Sequence, residues 1–433
     1  MCRKMPKYVD QAIKDEILEK LNLEHRNKFL NMCLSAMLKP EEMEFLKEVQ
    51  DFCVSYENSN NITHGPEEDI YDWYSDFAKA GYITRAHKFN CIDLDYNPWG
   101  LTAELMRALA LCFFDPQILM MFGASILGIN PIEAHHENVP VRLEALKSIV
   151  AGEKPSCILI TEPERGSDAV HQLSVCEEQD DGSFMLNGEK IFNTNAPKAK
   201  WAIAYATAEK NNGRQMAQFL IDTDWEGWNC ERVFIPWAPK LYIGHEHLTD
   251  LRVPKEYVLG GIGKGRDHMF EGLVVERIMI ATQNICECWN ALAHATIYAN
   301  MRKQFGQPIL QFQGVGMLLA DLFAKTQTLT YGLLKFCQDY DALAEKYGSE
   351  HAIPPRINQA LVPTASQFKY MAAQSSKEVC YEAANAMGGA GLCDNTLMHD
   401  LINISRIQEI VGGSRQIQLY IIMGALGRIF KAL

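Results

Sequence analysis

Apolar residues recur three and four positions apart through most of the first 155 residues, the spacing of helices with one buried stripe. Tyr8 to Leu30 reads as an amphipathic helix. Pro40 to Cys53 reads as another, with Pro40 near its first turn and Glu41 and Glu42 at the positive end of its dipole. Polar loops are expected at Asn58–Asn61 and Asn97–Gly100; just before the second lies Cys91-Ile-Asp-Leu-Asp-Tyr96, carrying Asp93 and Asp95. Helix resumes from Leu101 to Ala151, with Pro116 and Pro131 expected to mark breaks. The period then changes. Ser156–Ile160, Met185–Leu186, Trp201–Thr207 and Gln218–Ile221 are short apolar runs separated by Gly, Asn and Asp, a pattern of antiparallel strands, closed by Leu251–Gly260. From Asp267 long helical patterns return, and Ile278–Ile297 is nearly all apolar, which predicts the buried core of a bundle. The architecture expected is α+β, with an N-terminal helical domain, a middle antiparallel β-domain and a C-terminal helix bundle. The boundaries expected are an extension over 1–35, helices over 36–155, a β-barrel over 156–262 and a four-helix bundle over 263–433.

Composition adds limits. At 433 residues the chain can bury a large core in two or three domains. A net charge of −13 argues against a nucleic-acid or anionic-membrane surface. No uninterrupted apolar stretch reaches the roughly 18 residues of a membrane span, and no signal peptide shows at the N-terminus. The 13 cysteines are scattered, and Cys286 and Cys288 lack the paired spacing of a zinc site; they read as free thiols of a reducing cytoplasm.

Candidate chemistry starts at Cys157-Ile-Leu-Ile-Thr-Glu-Pro-Glu-Arg-Gly-Ser-Asp168, a buried strand end opening into a tight turn. Pro163 ends the run, Gly166 permits close approach of the backbone, and Ser167 offers a hydroxyl there. There is no Walker A loop and no Gly-x-Gly-x-x-Gly after a strand, so no nicotinamide site is indicated.

This stretch resembles the signature of acyl-CoA dehydrogenases, flavin enzymes that oxidise acyl-CoA thioesters. The resemblance continues at Leu186–Asn195, Arg302–Pro308, Met387–Leu392 and Gly412–Gln418, five segments in order over roughly residues 100 to 430. It implies FAD, an acyl-CoA substrate, an electron-transferring flavoprotein as partner and a homotetramer. By resemblance, Ile160, Thr161 and Thr194 meet the isoalloxazine ring, and Phe192 stands where a Trp usually flanks it. Ser167 sits where the family touches pantetheine or pyrophosphate. Arg302, Phe305, Asn385 and Gly389 match the set binding the nucleotide half on a neighbouring subunit, Asn385 replacing the usual Gln. Ser414 and Gln416 match a Thr and Gln beside the cofactor.

The chemistry implied needs a base for the proton α to the thioester and donors for the developing enolate. Many members carry the base as a glutamate at the position that is Gly412 here. A branch resembling isovaleryl-CoA and long-chain acyl-CoA dehydrogenases carries it on the helix after the β-domain, which points to Glu276 in Val274-Val-Glu-Arg277. Its apolar neighbours suit a base working near neutrality. Arg277 is retained as a substrate contact, whereas the usual pantetheine Asp is Val274. The shifted base, and space expected from the missing side chain at Gly412, point to a branched or cyclic acyl group. The family's equivalent of the Asp93/Asp95 loop lies near the far end of the acyl pocket, so the alternative is 1,4-dehydrogenation of a cyclic enoyl-CoA with Asp93 or Asp95 as base. An oxidase, a reductase running the reaction backwards, and a non-catalytic acyl-CoA-binding flavoprotein are the remaining alternatives.

Overall fold

The structure is a computed structural model, and it describes residues 13–65, 68–82, 100–135, 139–393 and 396–432. Asp93 and Asp95 lie outside the described residues.

The N-terminal region is helical: α1 (Asp15–Leu18), α2 (Leu23–Leu34), α3 (Pro40–Asn60), α4 (Tyr74–Lys79), α5 (Leu101–Phe114), α6 (Pro116–Ala134) and α7 (Pro140–Val150). Two expectations change here. The single helix expected over 8–30 is divided, within the described residues, into α1 and α2. Asn22 adopts extended backbone and its side chain accepts from the His25 N–H at 2.9 Å, starting a new helix where the old one would have continued. Pro116 does begin α6, but Pro131 does not end it; the helix gives up the one bond its N–H would have donated and continues to Ala134, with Ile132 buried. By length and composition α6 could cross a membrane, yet most of it is buried against α5, α7 and the sheet.

The middle region holds β1 (Ser156–Leu159), β2 (Val175–Glu178), β3 (Phe184–Thr194), β4 (Trp201–Thr207), β5 (Met216–Asp222), β6 (Trp228–Val233), β7 (Ile243–Val253) and β8 (Val258–Leu259). They form one sheet in the order β6-β7-β3-β2-β4-β5-β8, with β1 added on β4. The sheet is mixed rather than wholly antiparallel, because β1 runs parallel to β4 in register Ser156↔Trp201 to Leu159↔Ala204, and β2 also meets β4 in parallel. β4 is buried along its whole length. One face packs Ala202, Ala204 and Phe219 into the β-domain core; the other packs Trp201, Ile203 and Leu220 on α6 and α7. A strand covered on both faces reads as a continuous apolar run, as this one does.

The C-terminal region holds α8 (Gly265–Glu271), α9 (Leu273–Met301), the hairpin β9 (Lys303–Gln304) and β10 (Gln307–Pro308), then α10 (Gln313–Tyr347), α11 (Pro355–Met387), α12 (Met398–Gln408) and α13 (Arg415–Ala432). Every residue of α9 from Arg277 to Ala295 is buried, including the polar Gln283, Asn284, Glu287, Asn290 and His294, as the largely apolar pattern predicts. The α9 and α11 helices run parallel: Lys369 lies in the field of Glu276, and about two to three turns on Ser376 hydrogen-bonds Glu287 at 2.5 Å. Between them α10 returns antiparallel, pairing Phe336 with Phe368 and Lys325 with Glu378. One apolar core joins these helices to α2, α3, α5 and α6.

Candidate active site

Two groups of residues are held at opposite ends of α9, and a third lies on the sheet. At the N-terminal end, Glu276 stands half-buried in the first turn. Opposite it runs the turn after α12. Gly412 and Gly413 there have φ of +60° and +88°, backbone that favours glycine. A Cβ on Gly412 would stand 2.3 Å from Ile280 Cδ1 and 3.2 Å from Glu276 Oε1. The position expected to open space by lacking a side chain is therefore already filled, by an isoleucine methyl and the carboxylate itself. This corrects one ground for expecting a bulky acyl group.

Lys369 fastens that turn. Its buried Nζ donates to the carbonyl oxygens of Val411, Gly412 (2.9 Å) and Gly413, and Gln418 Nε2 adds a bond of 2.8 Å to Gly413 O. Burial brings the Lys369 ammonium down to about 8; Glu276 opposes that fall and Arg277 adds to it. Ser414 follows the turn and Gln416 is exposed in the first turn of α13. Sequence reasoning missed Lys369. The signal was available: one lysine on the small-residue face of α11, in line with Ala365, Ser366, Ala372 and Ala373, all buried.

Arg277 is 3% exposed, and its Nε and Nη1 have no hydrogen-bond partner among the described residues. Burial lowers its guanidinium below the ordinary value, with Glu276 opposing. A buried guanidinium with idle N–H groups carries a desolvation cost that a bound ligand would relieve. Nearby on β4 the Tyr205 phenol is held above its ordinary range, by burial first, with the charges of Glu276 and Glu271 adding to it. This end of α9 therefore lies within electrostatic reach of the β-domain.

On the sheet, β1 ends at Leu159 and the chain passes through Ile160 and Thr161 into the turn Glu162–Arg165, closed by reciprocal backbone bonds of 2.9 and 3.0 Å. The Ile191 N–H donates to Thr161 O at 2.9 Å, joining this turn to β3. Glu162 is buried. It accepts from the Leu173 and Ser174 N–H groups at 2.6 and 2.9 Å and from Lys190 Nζ at 3.0 Å. Burial alone would raise its carboxyl, but Lys190 and those donors hold it below the usual range. Ser167 is exposed beyond the turn.

At the end of β3 the register slips between Ile191 and Asn193. Phe192 sits in this bulge with φ of +64° and 59% of its surface exposed. A bulky residue in left-handed backbone is strained, and such strain persists where a site requires it. Asn195, with φ of +76°, closes the other side of Thr194. Its side chain accepts from Tyr71 Oη at 2.7 Å and donates to Met121 O at 2.9 Å and Ser156 O at 3.1 Å. Thr194 is thus presented between two left-handed residues, one of them tied to α6 and β1.

The remaining group lies at the far end of α9. Arg302 caps its C-terminus, Phe305 is 94% exposed at the tip of the β9–β10 hairpin, and Asn385 and Gly389 are exposed at the end of α11. A Cβ on Gly389 would meet nothing within 4 Å. Because α9 and α11 are parallel, these four residues share one end of the bundle. From Glu276 to Arg302 is 26 residues, or roughly 39 Å of helix at 1.5 Å per residue.

Family models for the acyl-CoA dehydrogenase middle domain and C-terminal domain match residues 157–239 and 263–427. The chain is 30% identical over 287 residues to a caffeyl-CoA reductase-Etf complex subunit, CarC, of Acetobacterium woodii, across 65% of this chain and 70% of that protein. It is 27% identical to the mitochondrial isovaleryl-CoA dehydrogenase of Oryza sativa subsp. japonica, across 83% of each. Its fold matches the solved butyryl-CoA dehydrogenase of Megasphaera elsdenii with a TM-score of 0.76 at 24% identity, over 90% of this chain and 98% of that one. The chain belongs to the acyl-CoA dehydrogenase family, and is an FAD-dependent oxidoreductase acting on acyl-CoA. Its residues fit the cofactor: Phe192 offers a flat exposed ring on strained backbone, and the end of the bundle that carries Arg302, always charged, also carries open backbone at Gly389.

Proposed function

We propose that Glu276 is the carboxylate that exchanges the α-proton of an acyl-CoA thioester, and that the acyl group is branched or ring-bearing. The observation carrying this reading is the contact between Glu276 and the 411–413 turn. The two positions from which the family's carboxylate can come lie side by side in space, and only Glu276 supplies one. Lys369 holds the turn so that Glu276 keeps its position and no backbone carbonyl there is left unpaired. The idle N–H groups of Arg277 support its place in substrate binding.

When bound, FAD accepts the β-hydrogen as hydride. Thr161, Phe192 and Thr194 are the residues we assign to its ring, with Ile160 and Ser167 beside them. Ser414 and Gln416 flank it near the turn. Arg302, Phe305, Asn385 and Gly389 are assigned to its nucleotide half. The roughly 39 Å between Glu276 and Arg302 supports those four serving the flavin of a second copy, and hence a homo-oligomer. Similarity to isovaleryl-CoA dehydrogenase supports a branched acyl chain and similarity to a caffeyl-CoA reductase a ring-bearing one. The second similarity also favours a second reading, reduction of an enoyl-CoA, in which Glu276 returns the proton to the same carbon, with an electron-transferring flavoprotein as partner.

The test is anaerobic bleaching of the flavin by straight-chain, branched and aryl acyl-CoA thioesters, and its reoxidation by the matching enoyl-CoAs, on wild type and Glu276→Gln. Bleaching lost in the variant supports the assignment. Full bleaching by Glu276→Gln overturns it and makes Asp93 and Asp95 the carboxylates to change next. A wild type that binds esters without bleaching or reoxidation overturns the catalytic reading.

A further inference from the structure

Away from this site, three side chains of metal-ligating type converge on the outer face of the sheet. Glu189 on β3 pairs directly with His247 on β7, and His245 lies two residues along β7 on the same face. Between the two histidines Glu246 points the other way and is buried, as is Lys190 beside Glu189, so strand alternation turns all three candidates outward. Glu189 Oε2 is 3.4 Å from His245 Nε2, and Glu189 Oε1 is 3.7 Å from His247 Nδ1. The two imidazole centroids are 4.3 Å apart, and one ligand atom from each residue lies within 4.8 Å of the others.

We propose that Glu189, His245 and His247 bind a divalent transition cation of the zinc class. Zinc holds imidazole nitrogen and carboxylate oxygen at about 2.0–2.2 Å, which places neighbouring ligand atoms of a tetrahedron roughly 3.4 Å apart. Two of the three separations already stand near that value. Imidazole with carboxylate is a donor set suited to zinc, nickel or copper. The three side chains are 26% to 53% exposed, so an ion can enter and keep a water. Glu231 on β6 is in register with His245, and alternation puts it on the same face as a candidate fourth ligand. The scaffold is rigid sheet, the kind of support a metal site needs. The ion would clip β3 to β7 three residues before Phe192.

The experiment uses the flavin-loaded full chain, stripped with a chelator and titrated with zinc chloride against a chromogenic chelator. A single zinc per chain is expected, with affinity falling about tenfold or more in His245→Asn and in His247→Asn. X-ray absorption of the zinc-loaded wild type is expected to show nitrogen and oxygen ligands alone, a readout needing no variant. Equal zinc uptake by wild type and the double variant, sulfur ligation from a cysteine such as Cys230, or no uptake by wild type would each overturn the site.

Discussion

Glu276 and Gly412 occupy one another's space: the carboxylate stands 3.2 Å from where the first side-chain atom of residue 412 would lie. The pair therefore admits one carboxylate. Gly412→Ala places a Cβ 2.3 Å from Ile280 Cδ1 on backbone of φ +60°, and is expected to destabilise by about 1–3 kcal/mol, measured by chemical denaturation. Gly412→Glu in a Glu276→Gln background is expected not to restore flavin bleaching; restoration would show that the turn gives way.

Glu276→Gln itself is expected to lower kcat by about 10²–10⁴-fold while flavin content stays unchanged. Exchange of the substrate's α-proton with deuterated solvent, followed by NMR, reads the same step without electron transfer. Exchange at the wild-type rate would remove Glu276 from the chemistry.

The Lys190–Glu162 pair braces the turn below Thr161. Lys190→Met leaves a buried carboxylate without its cation and is expected to cost about 3–5 kcal/mol, whereas Lys190→Met with Glu162→Gln costs less than the single change. A double-mutant cycle in urea checks this.

Phe192→Gly removes a strained left-handed phenylalanine. The flavin-free protein should gain up to about 1 kcal/mol, while flavin affinity falls because the exposed ring is gone. Thermal midpoints with and without FAD separate the two effects. A gain in both would mean the ring has no cofactor role.

Glu287 is wholly buried in α9, and burial raises its carboxyl from the ordinary 4.5 to about 8, with Ser376 opposing. Folded protein then holds a proton between pH 4.5 and 8 that unfolded chain has released. Stability from this group is full below about 4.5 and is lost as pH rises towards 8. Glu246, also raised to about 8 by burial, acts in the same direction. Glu287→Gln should flatten, without abolishing, the fall in thermal midpoint over that range.

The local patterns were legible in the sequence. A continuous apolar run announced β4, a largely apolar stretch announced the core of α9, and the charged first turn announced α3. Proline misled at 131, because one lost donor does not end a helix whose next turn is held by burial of Ile132. Pairings distant in sequence left no trace: nothing local shows that β1 lies parallel to β4. At the site, Glu276 and the 411–413 turn were each visible, but their contact was not, and the filled space beside Gly412 reverses what its missing side chain suggested. Charge could have shown more. Lys190 is a charge at a position of β3 where alternation calls for an apolar residue, and Glu162 closes a buried strand end with the opposite charge.

The length of α9 bears on inheritance of defects. With proton exchange assigned to one end and nucleotide binding to the other, a chain impaired at Glu276 and a chain impaired at Arg302, once paired, place both defects in the same copy of the site. Co-expressed, two inactive chains should recover activity, since pairing them leaves one site with both residues intact. A monomer working alone could not show such rescue.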